Sequence, residues 1–371
     1  METLRKSEQV AYLLRSIYEQ YGYRKFRMSK FEEYDFYAEN KDFLTDGQVI
    51  TFTDPSGKLM ALKPDITMSV AKNTRATANI PEKVYYTESV YRMSRETREY
   101  KEIFQLGLEY IGEVSPYTNI EIIDLALKSL ACIEPVFVLD ISHMGFITGL
   151  FDSISATAGA KKEFLHCIER KNIHELNRLI SQHKIEKKQG YRLLALAGIS
   201  GSMDMALKEI REISVNQKMR SAVAELEQLY SVFKQSKNSN ALRLDFSIIS
   251  DSKYYNGLIF RGYVKSVPRT VLSGGRYGYL LSRMHKSDLQ AIGFAIYFDE
   301  VERYLKLPIR NGYDTVILYD ERSDLFALHC VIEEFVNAGK CVCAALTLPE
   351  NSGSAKIYRM DRNKLLEQSR D

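Results

Sequence analysis

Cysteine is scarce and scattered. Cys132, Cys167, Cys330, Cys341 and Cys343 are an odd set in a chain of 371 residues. This excludes a disulfide framework and points to reduced thiols in a reducing, cytoplasmic compartment. Cys341 and Cys343 alternate in an apparent strand and so face one way. With only His329 nearby they lack a metal's ligand set, so buried small residues are expected. Charge of one sign is also lacking. The net charge of +3 is too weak to argue for nucleic acid by bulk electrostatics. No apolar run approaches the length of a membrane span. The opening stretch, METLRKSEQVAYLLRSIYEQYG, reads as an amphipathic helix with acidic residues, so no export signal is expected. There is no repeat of fixed period and no low-complexity tract, which excludes a solenoid. What is present, 45% hydrophobic and 27% charged residues, is ordinary for a soluble globular chain of two or three domains.

The most informative stretch is Val84 to Gly112, VYYTESVYRMSRETREYKEIFQLGLEYIG. Val84 to Arg92 is rich in Tyr and Val, as strands are. Met93 to Glu99 is charged and expected to be a solvated loop. In the return strand, side chains alternate between faces. Phe104, Leu106, Leu108 and Tyr110 take one face; Gln105, Gly107, Glu109 and Ile111 take the other. The first face wants a core. The second is either the polar outside of a half-exposed sheet or a site, with Gly107 marking a close approach to the backbone.

Around this hairpin the elements follow from period and punctuation. Ser7 to Tyr21 has helical spacing and ends at Gly22. Tyr23 to Glu32 alternates like a strand. Val49–Asp54 and Lys58–Leu62 form a hairpin about Asp54-Pro55-Ser56-Gly57. Pro64 opens a helix, with Asp65 in its first turn. Asn119 to Cys132 is a helix and Val136 to Ile141 a strand. Residues 145–238 read as a helical insertion. Ala241–Ser250 and Tyr254–Val264 are strands expected to face each other across Asp251-Ser252-Lys253. Thr270–Ser273 leads into Gly274-Gly275-Arg276-Tyr277. Gln290–Tyr304 passes from strand to helix through Gly293. Leu307 to Gly312 reads as a linker, dividing the chain into domains 1–310 and 311–371. Beyond it, Thr315–Tyr319, Ser323–Ala338 and Cys341–Leu346 form a βαβ pattern, with Gly339 closing the helix and a short polar tail after it.

Five motifs, in order, resemble the histidyl-tRNA synthetase family. They resemble still more its non-synthetase branch, the regulatory subunits of ATP phosphoribosyltransferase. KPDIT at Lys63–Thr67 looks like the family's RPEGT. The hairpin Tyr85–Gly112 looks like motif 2. KYYNGLIF at Lys253–Phe260 looks like DYYNRTVF, SGGRY at Ser273–Tyr277 is identical, and AIGFAIYFDE at Ala291–Glu300 looks like motif 3. The resemblance covers Met1 to about Lys306. It implies an α+β, class-II synthetase-like antiparallel sheet of six strands flanked by helices, a helical insertion, and usually a dimer. The C-terminal α/β segment is too short for a full anticodon-binding domain.

The departures point away from catalysis. Activation of an amino acid by ATP needs cations on the phosphoryl group. Ser250 stands where the family's catalytic arginine belongs, and Glu300 where motif 3 has an arginine, so repulsion of phosphates is expected there. Ser94 replaces the motif 2 glutamate. Glu99 replaces its second arginine unless Arg98 slides into place, while Arg92 is kept. Ser29 replaces the motif 1 proline. What the resemblance retains is a histidine-binding set: Asp65, Thr67, Gln105, Glu109, Tyr255 and Tyr277. Arg92, Gly107, Tyr254, Gly274 and Gly275 are further pocket-lining candidates. Carboxylates suit an α-ammonium and an imidazole N–H. The implied protein is a catalytically silent regulatory subunit, a homodimer within a hetero-oligomer with the short-form ATP phosphoribosyltransferase catalytic subunit. It would carry histidine feedback, with no cofactor, metal, membrane or tRNA. The alternatives are an active histidyl-tRNA synthetase, or a histidine-sensing or tRNA-binding paralogue with another partner.

Overall fold

A computed structural model describes residues 6–44, 49–77, 80–93, 98–249, 254–304, 313–349, 352–353 and 355–368. The chain forms two compact units, Met1–Lys306 and Leu307–Asp371; the expected linker after Lys306 lies outside the described residues. Strands of the first unit are β1 Arg24–Lys25, β2 Phe31–Glu33, β3 Thr51–Thr53, β4 Leu59–Leu62, β5 Glu82–Met93, β6 Tyr100–Gly112, β7 Phe137–His143, β8 Ser200–Ser202, β9 Leu242–Asp245, β10 Leu258–Val264, β11 Leu272–Tyr277 and β12 Gln290–Tyr297.

The main sheet has the order β1-β5-β6-β12-β11-β10-β7-β9-β8. Its central six strands, β5 to β7 in that order, are antiparallel throughout. β1 and β9 add in parallel at either side of this block, and β8 closes one edge. The expected pairing of β9 with β10 does not occur. β7 lies between them, because the helical insertion separates β7 from β9 in sequence while leaving them adjacent in the sheet. The strand expected over Thr270–Ser273 runs instead from Leu272 to Tyr277 and takes in Gly274-Gly275-Arg276-Tyr277. The segment between β9 and β10 that includes Asp251-Ser252-Lys253 lies outside the described residues.

The β5–β6 hairpin sets the frame for everything else. Leu106, Leu108 and Tyr110 enter a large core with helices Lys6–Gln20 and Pro116–Ile133. Ile111, one residue out of phase, joins a second core on the other face with Val84, Tyr86, Val90 and Tyr277. That second face is not a solvated outside: Gln105 is 5% and Glu109 2% exposed. Burying an amide and a carboxyl costs free energy unless they are hydrogen-bonded, which marks the face as a site rather than a solubility device.

The small sheet β2-β4-β3 stands beside the second core. Its β3–β4 turn is made as the sequence expects. Asp54 Oδ1 accepts from Ser56 N at 2.8 Å and Lys58 N at 2.9 Å, and Gly57 takes φ +84°, which a Cβ would resist. The insertion comprises six helices from Met144 to Phe233, interrupted by β8. Arg276 of β11 ties it to the sheet. Its Nη1 and Nη2 donate to Glu225 Oε1 and Oε2 at 2.9 and 3.2 Å. Asn119 and His143 also contact Glu225.

In the second unit, β13 Thr315–Leu318, helix Leu325–Asn337 and β14 Val342–Ala345 make the expected parallel βαβ. The tail is not merely polar. It adds β15 Lys356–Asp361 and β16 Lys364–Gln368, an antiparallel hairpin in a sheet of order β14-β13-β15-β16. Ile317, Leu328 and Met360 form the core of this unit. The cysteines are less buried than expected. Only Cys167 is fully buried, and Cys341 is exposed. Among the described residues no cluster of three metal-ligating side chains occurs, and no helix is long and apolar enough to cross a membrane.

Candidate functional site

A cavity of about 550 Å³ opens on the second face of the main sheet. All six residues of the expected set line it: Asp65, Thr67, Gln105, Glu109, Tyr255 and Tyr277. They come from four separate elements, and two tethers bring the KPDIT segment to the sheet. Lys63, wholly buried, donates to Glu88 Oε2 at 3.1 Å. Arg92 Nε donates to the Pro64 carbonyl at 2.6 Å. Helix Ile66–Asn73 then starts at the wall of the cavity. Asp65 is its N-cap rather than a first-turn residue, because its Oδ1 accepts from Met68 N at 2.9 Å. Its other oxygen, Oδ2, lies 3.4 Å from Arg92 Nη2. Burial raises the Asp65 carboxyl above its usual range, against the pull of Arg92.

Glu109 is the centre of the polar cluster. Thr67 Oγ1 donates to its Oε1 at 2.8 Å and Tyr277 Oη to its Oε2 at 3.1 Å. Burial nevertheless pushes its pKa up to about 8, with Asp65 adding to the rise and the two hydroxyls opposing it. A cationic ligand would favour the ionised form, which has about four acceptor sites, so two would remain for the ligand's donors. Tyr254 packs edge-on against Tyr255, with centroids 4.6 Å apart, and lies 6.2 Å from Tyr277. The three rings make an aromatic slot beside the carboxyl. The Gln105 side chain forms no hydrogen bond with a described residue, so its buried amide is free to face the cavity. The arrangement suits a small molecule with a cationic or N–H-bearing head and a flat ring.

Arg92, Tyr254, Gly274 and Gly275 also reach the cavity wall, whereas Gly107 does not. The space a Cβ would take at Gly107 is filled by the Tyr86 hydroxyl and the Phe294 carbonyl. The close approach that Gly107 signals is thus made by the protein itself. Gly274 points toward Phe260 and Phe294 in the first core.

Several wall residues escaped sequence reasoning, among them Arg261, Ser273 and Tyr297. Counting by twos along β10 from Ile259 puts Arg261 on the site face, and that count was the available signal. The cavity therefore holds two cations, Arg92 and Arg261, and is not emptied of positive charge. Glu300 is not part of the wall, so the repulsion of phosphates expected of it has no basis in its position. It lies 3.6 Å from Arg269 and 3.5 Å from Arg303. Arg98 and Glu99 are exposed. Ser94 and Ser250 lie outside the described residues.

A six-stranded antiparallel block with the site on one face and an inserted helical subdomain defines a class-II synthetase-like α+β protein. The family model for histidyl-tRNA synthetase matches residues 2–301, and the chain belongs to that family. The ATP phosphoribosyltransferase regulatory subunit of Oceanobacillus iheyensis is 25% identical over 285 residues, 76% of this chain and 69% of that one. A histidine–tRNA ligase of Methanococcus maripaludis is 24% identical over 384 residues, 99% of this chain and 91% of that one. Among solved structures, an ATP phosphoribosyltransferase regulatory subunit/histidyl-tRNA synthetase of Bacillus halodurans superposes with a TM-score of 0.78 at 24% identity, covering 91% of this chain and 88% of that one. An ATP phosphoribosyl transferase (HisG:HisZ) complex of Thermotoga maritima gives 0.63 at 20% identity, covering 78% and 93%.

Proposed function

We propose that this chain is a non-catalytic regulatory subunit of ATP phosphoribosyltransferase, acting with the short-form catalytic subunit and binding histidine in the cavity. The carrying observation is the buried Glu109 carboxyl, held by Thr67 and Tyr277 beside an aromatic slot. That cluster fits a small amino acid. The names of the relatives favour the regulatory role, and Ser250 in the place of the family's catalytic arginine favours silence in synthetase chemistry. A homodimer within the hetero-oligomer and residence in the cytoplasm belong to the same reading. Histidine feedback would then be a coupling free energy between this cavity and the partner's active site.

The test mixes the purified chain with the short-form catalytic subunit. The expected result is a co-eluting complex and a rise in phosphoribosyl transfer from a negligible background, suppressed by histidine. No complex and no rise would end the regulatory reading. Complex formation without histidine suppression would remove only the feedback. An active histidyl-tRNA synthetase remains the second reading, favoured by the relative that aligns over nearly the whole chain.

A further inference from the structure

Arg261 is a charged cavity residue whose chemistry the site above does not use. It is half-buried on the wall, and its guanidinium makes no hydrogen bond or ion pair with any described residue. A guanidinium carries five donors and keeps its charge. Leaving it partly desolvated without an acceptor costs free energy. The nearest carboxylate by register is committed elsewhere. Asp140 faces Arg261 across β7 and β10, but its Oδ1 lies 3.2 Å from Arg243 Nε.

The strand positions between Arg261 and Glu109 carry small residues. Reading across the sheet from Arg261, the next residues in register are Ser273, Ala295 and Gly107. The adjacent row on the same face runs Ile259, Gly275, Gly293, Glu109. The Tyr255 ring lies over Gly275, the Glu109 carboxyl over Gly293 and the Tyr86 hydroxyl over Gly107, so what faces Arg261 across the sheet is the Ser273–Ala295 pair. Three strand spacings, about 14 Å, separate the backbones of β10 and β6. Long side chains approaching from both ends shorten this to the span of a small molecule.

Other polar groups converge on the Arg261 end. Ser273 Oγ and Tyr297 Oη share a hydrogen bond of 2.7 Å. Whichever hydroxyl accepts still has its own proton to donate. Gln105 stands in register with Tyr297, and its amide is free of described partners. The cavity therefore has a cationic, donor-rich end and an acidic, aromatic end.

We infer that Arg261 forms an anion subsite that takes the carboxylate of a small zwitterionic ligand whose cationic or N–H-bearing end lies at Glu109. This rests on the reading of the cavity as an amino-acid site and names the residue that selects for an intact carboxylate. A carboxylate matches the planar guanidinium fork. A phosphate dianion fits less well, because it brings no N–H-bearing or cationic group to the Glu109 end.

The experiment measures binding by calorimetry to the full chain, with histidine, histamine and inorganic phosphate as probes. Histamine keeps the ring and the ammonium and lacks the carboxylate. The proteins are the wild type, Arg261→Gln and Arg261→Lys. Histidine should bind at least about 10-fold more weakly to Arg261→Gln, with partial recovery in Arg261→Lys, the loss expected when one charged hydrogen-bond partner goes. Histamine should bind wild type and Arg261→Gln alike. Equal histidine affinity in wild type and Arg261→Gln, or an equal loss of histamine, overturns the subsite while leaving the histidine reading intact. If the wild type ignores histidine, the amino-acid reading fails and phosphate decides. Phosphate binding that disappears in Arg261→Gln keeps the anion subsite, and its absence overturns that as well.

Discussion

Tyr277 and Glu109 are joined by a 3.1 Å hydrogen bond although their strands are not neighbours. β12 runs between β11 and β6, and it is Gly293 of β12 that stands opposite Glu109. A Cβ at Gly293 would collide with Glu109 Oε2 and the Leu108 carbonyl. The carboxyl thus lies over a glycine to reach a tyrosine two strands away, and that bridging pose defines the acidic end of the cavity.

Glu109→Gln should weaken histidine binding by roughly 10- to 100-fold, the equivalent of about 1.5–3 kcal/mol for a charged hydrogen bond. In the complex it should blunt inhibition by histidine while co-elution with the catalytic subunit is unchanged. Calorimetry and an inhibition curve check this. Unaltered sensitivity would move the histidine site elsewhere, the subunit interface being the alternative.

Stability should depend on pH through the same group. The folded chain holds the Glu109 carboxyl neutral up to about pH 8, whereas a free glutamate ionises from about 4.5. The unfolded state therefore sheds this proton first, and unfolding becomes easier as pH rises between those values. Relative to Glu109→Gln, the wild type should lose on the order of a few kcal/mol across this window and nothing more above it. Urea titrations at several pH values provide the measurement; curves that stay parallel contradict it.

Gly293→Ala should damage both fold and site. The new methyl has no free space and must displace the Glu109 carboxylate or the backbone of β6. Overpacking of this kind costs about 1–3 kcal/mol. The expected result is a lowered denaturation midpoint together with loss of histidine binding. Full affinity in this variant would mean that Glu109 does not lie as described.

Arg276→Met should loosen the insertion from the sheet. Glu225 is partly buried; burial pushes its carboxyl up, but His143 and Arg276 outweigh this and hold it below the usual range. Removing one partner of a fully buried pair costs roughly 3–5 kcal/mol. Because 17% and 22% of the two side chains remain exposed, about 2–3 kcal/mol is expected. Chemical denaturation reads the loss, and hydrogen exchange should locate it in helix Gln217–Phe233.

Histidine-dependent ATP–pyrophosphate exchange should not exceed background. The motif resemblance puts Ser250 where the family has its catalytic arginine, and one missing preorganised donor is worth about 2.7–4 kcal/mol of transition-state stabilisation. Measurable exchange would favour the ligase reading.

Local patterns determined a good deal. The alternation along β6, the Asp54–Gly57 turn and the helical spacing of the insertion depend on periods of a few residues and on turn chemistry, which neighbours in sequence control. The α+β class and the six residues expected together followed instead from the resemblance of five motifs to the family. Tertiary structure alone decided the rest. That β7 separates β9 from β10 follows from long-range pairing, which no local period encodes. That the Gln105–Glu109 face is buried depends on what packs over it, and that Tyr86 fills the space at Gly107 depends on a partner strand. Arg261 became part of the site because strand register aligned it with Ser273 while Asp140 was engaged by Arg243. A side chain's partner is set by where distant backbones meet, and only the folded chain brings them together.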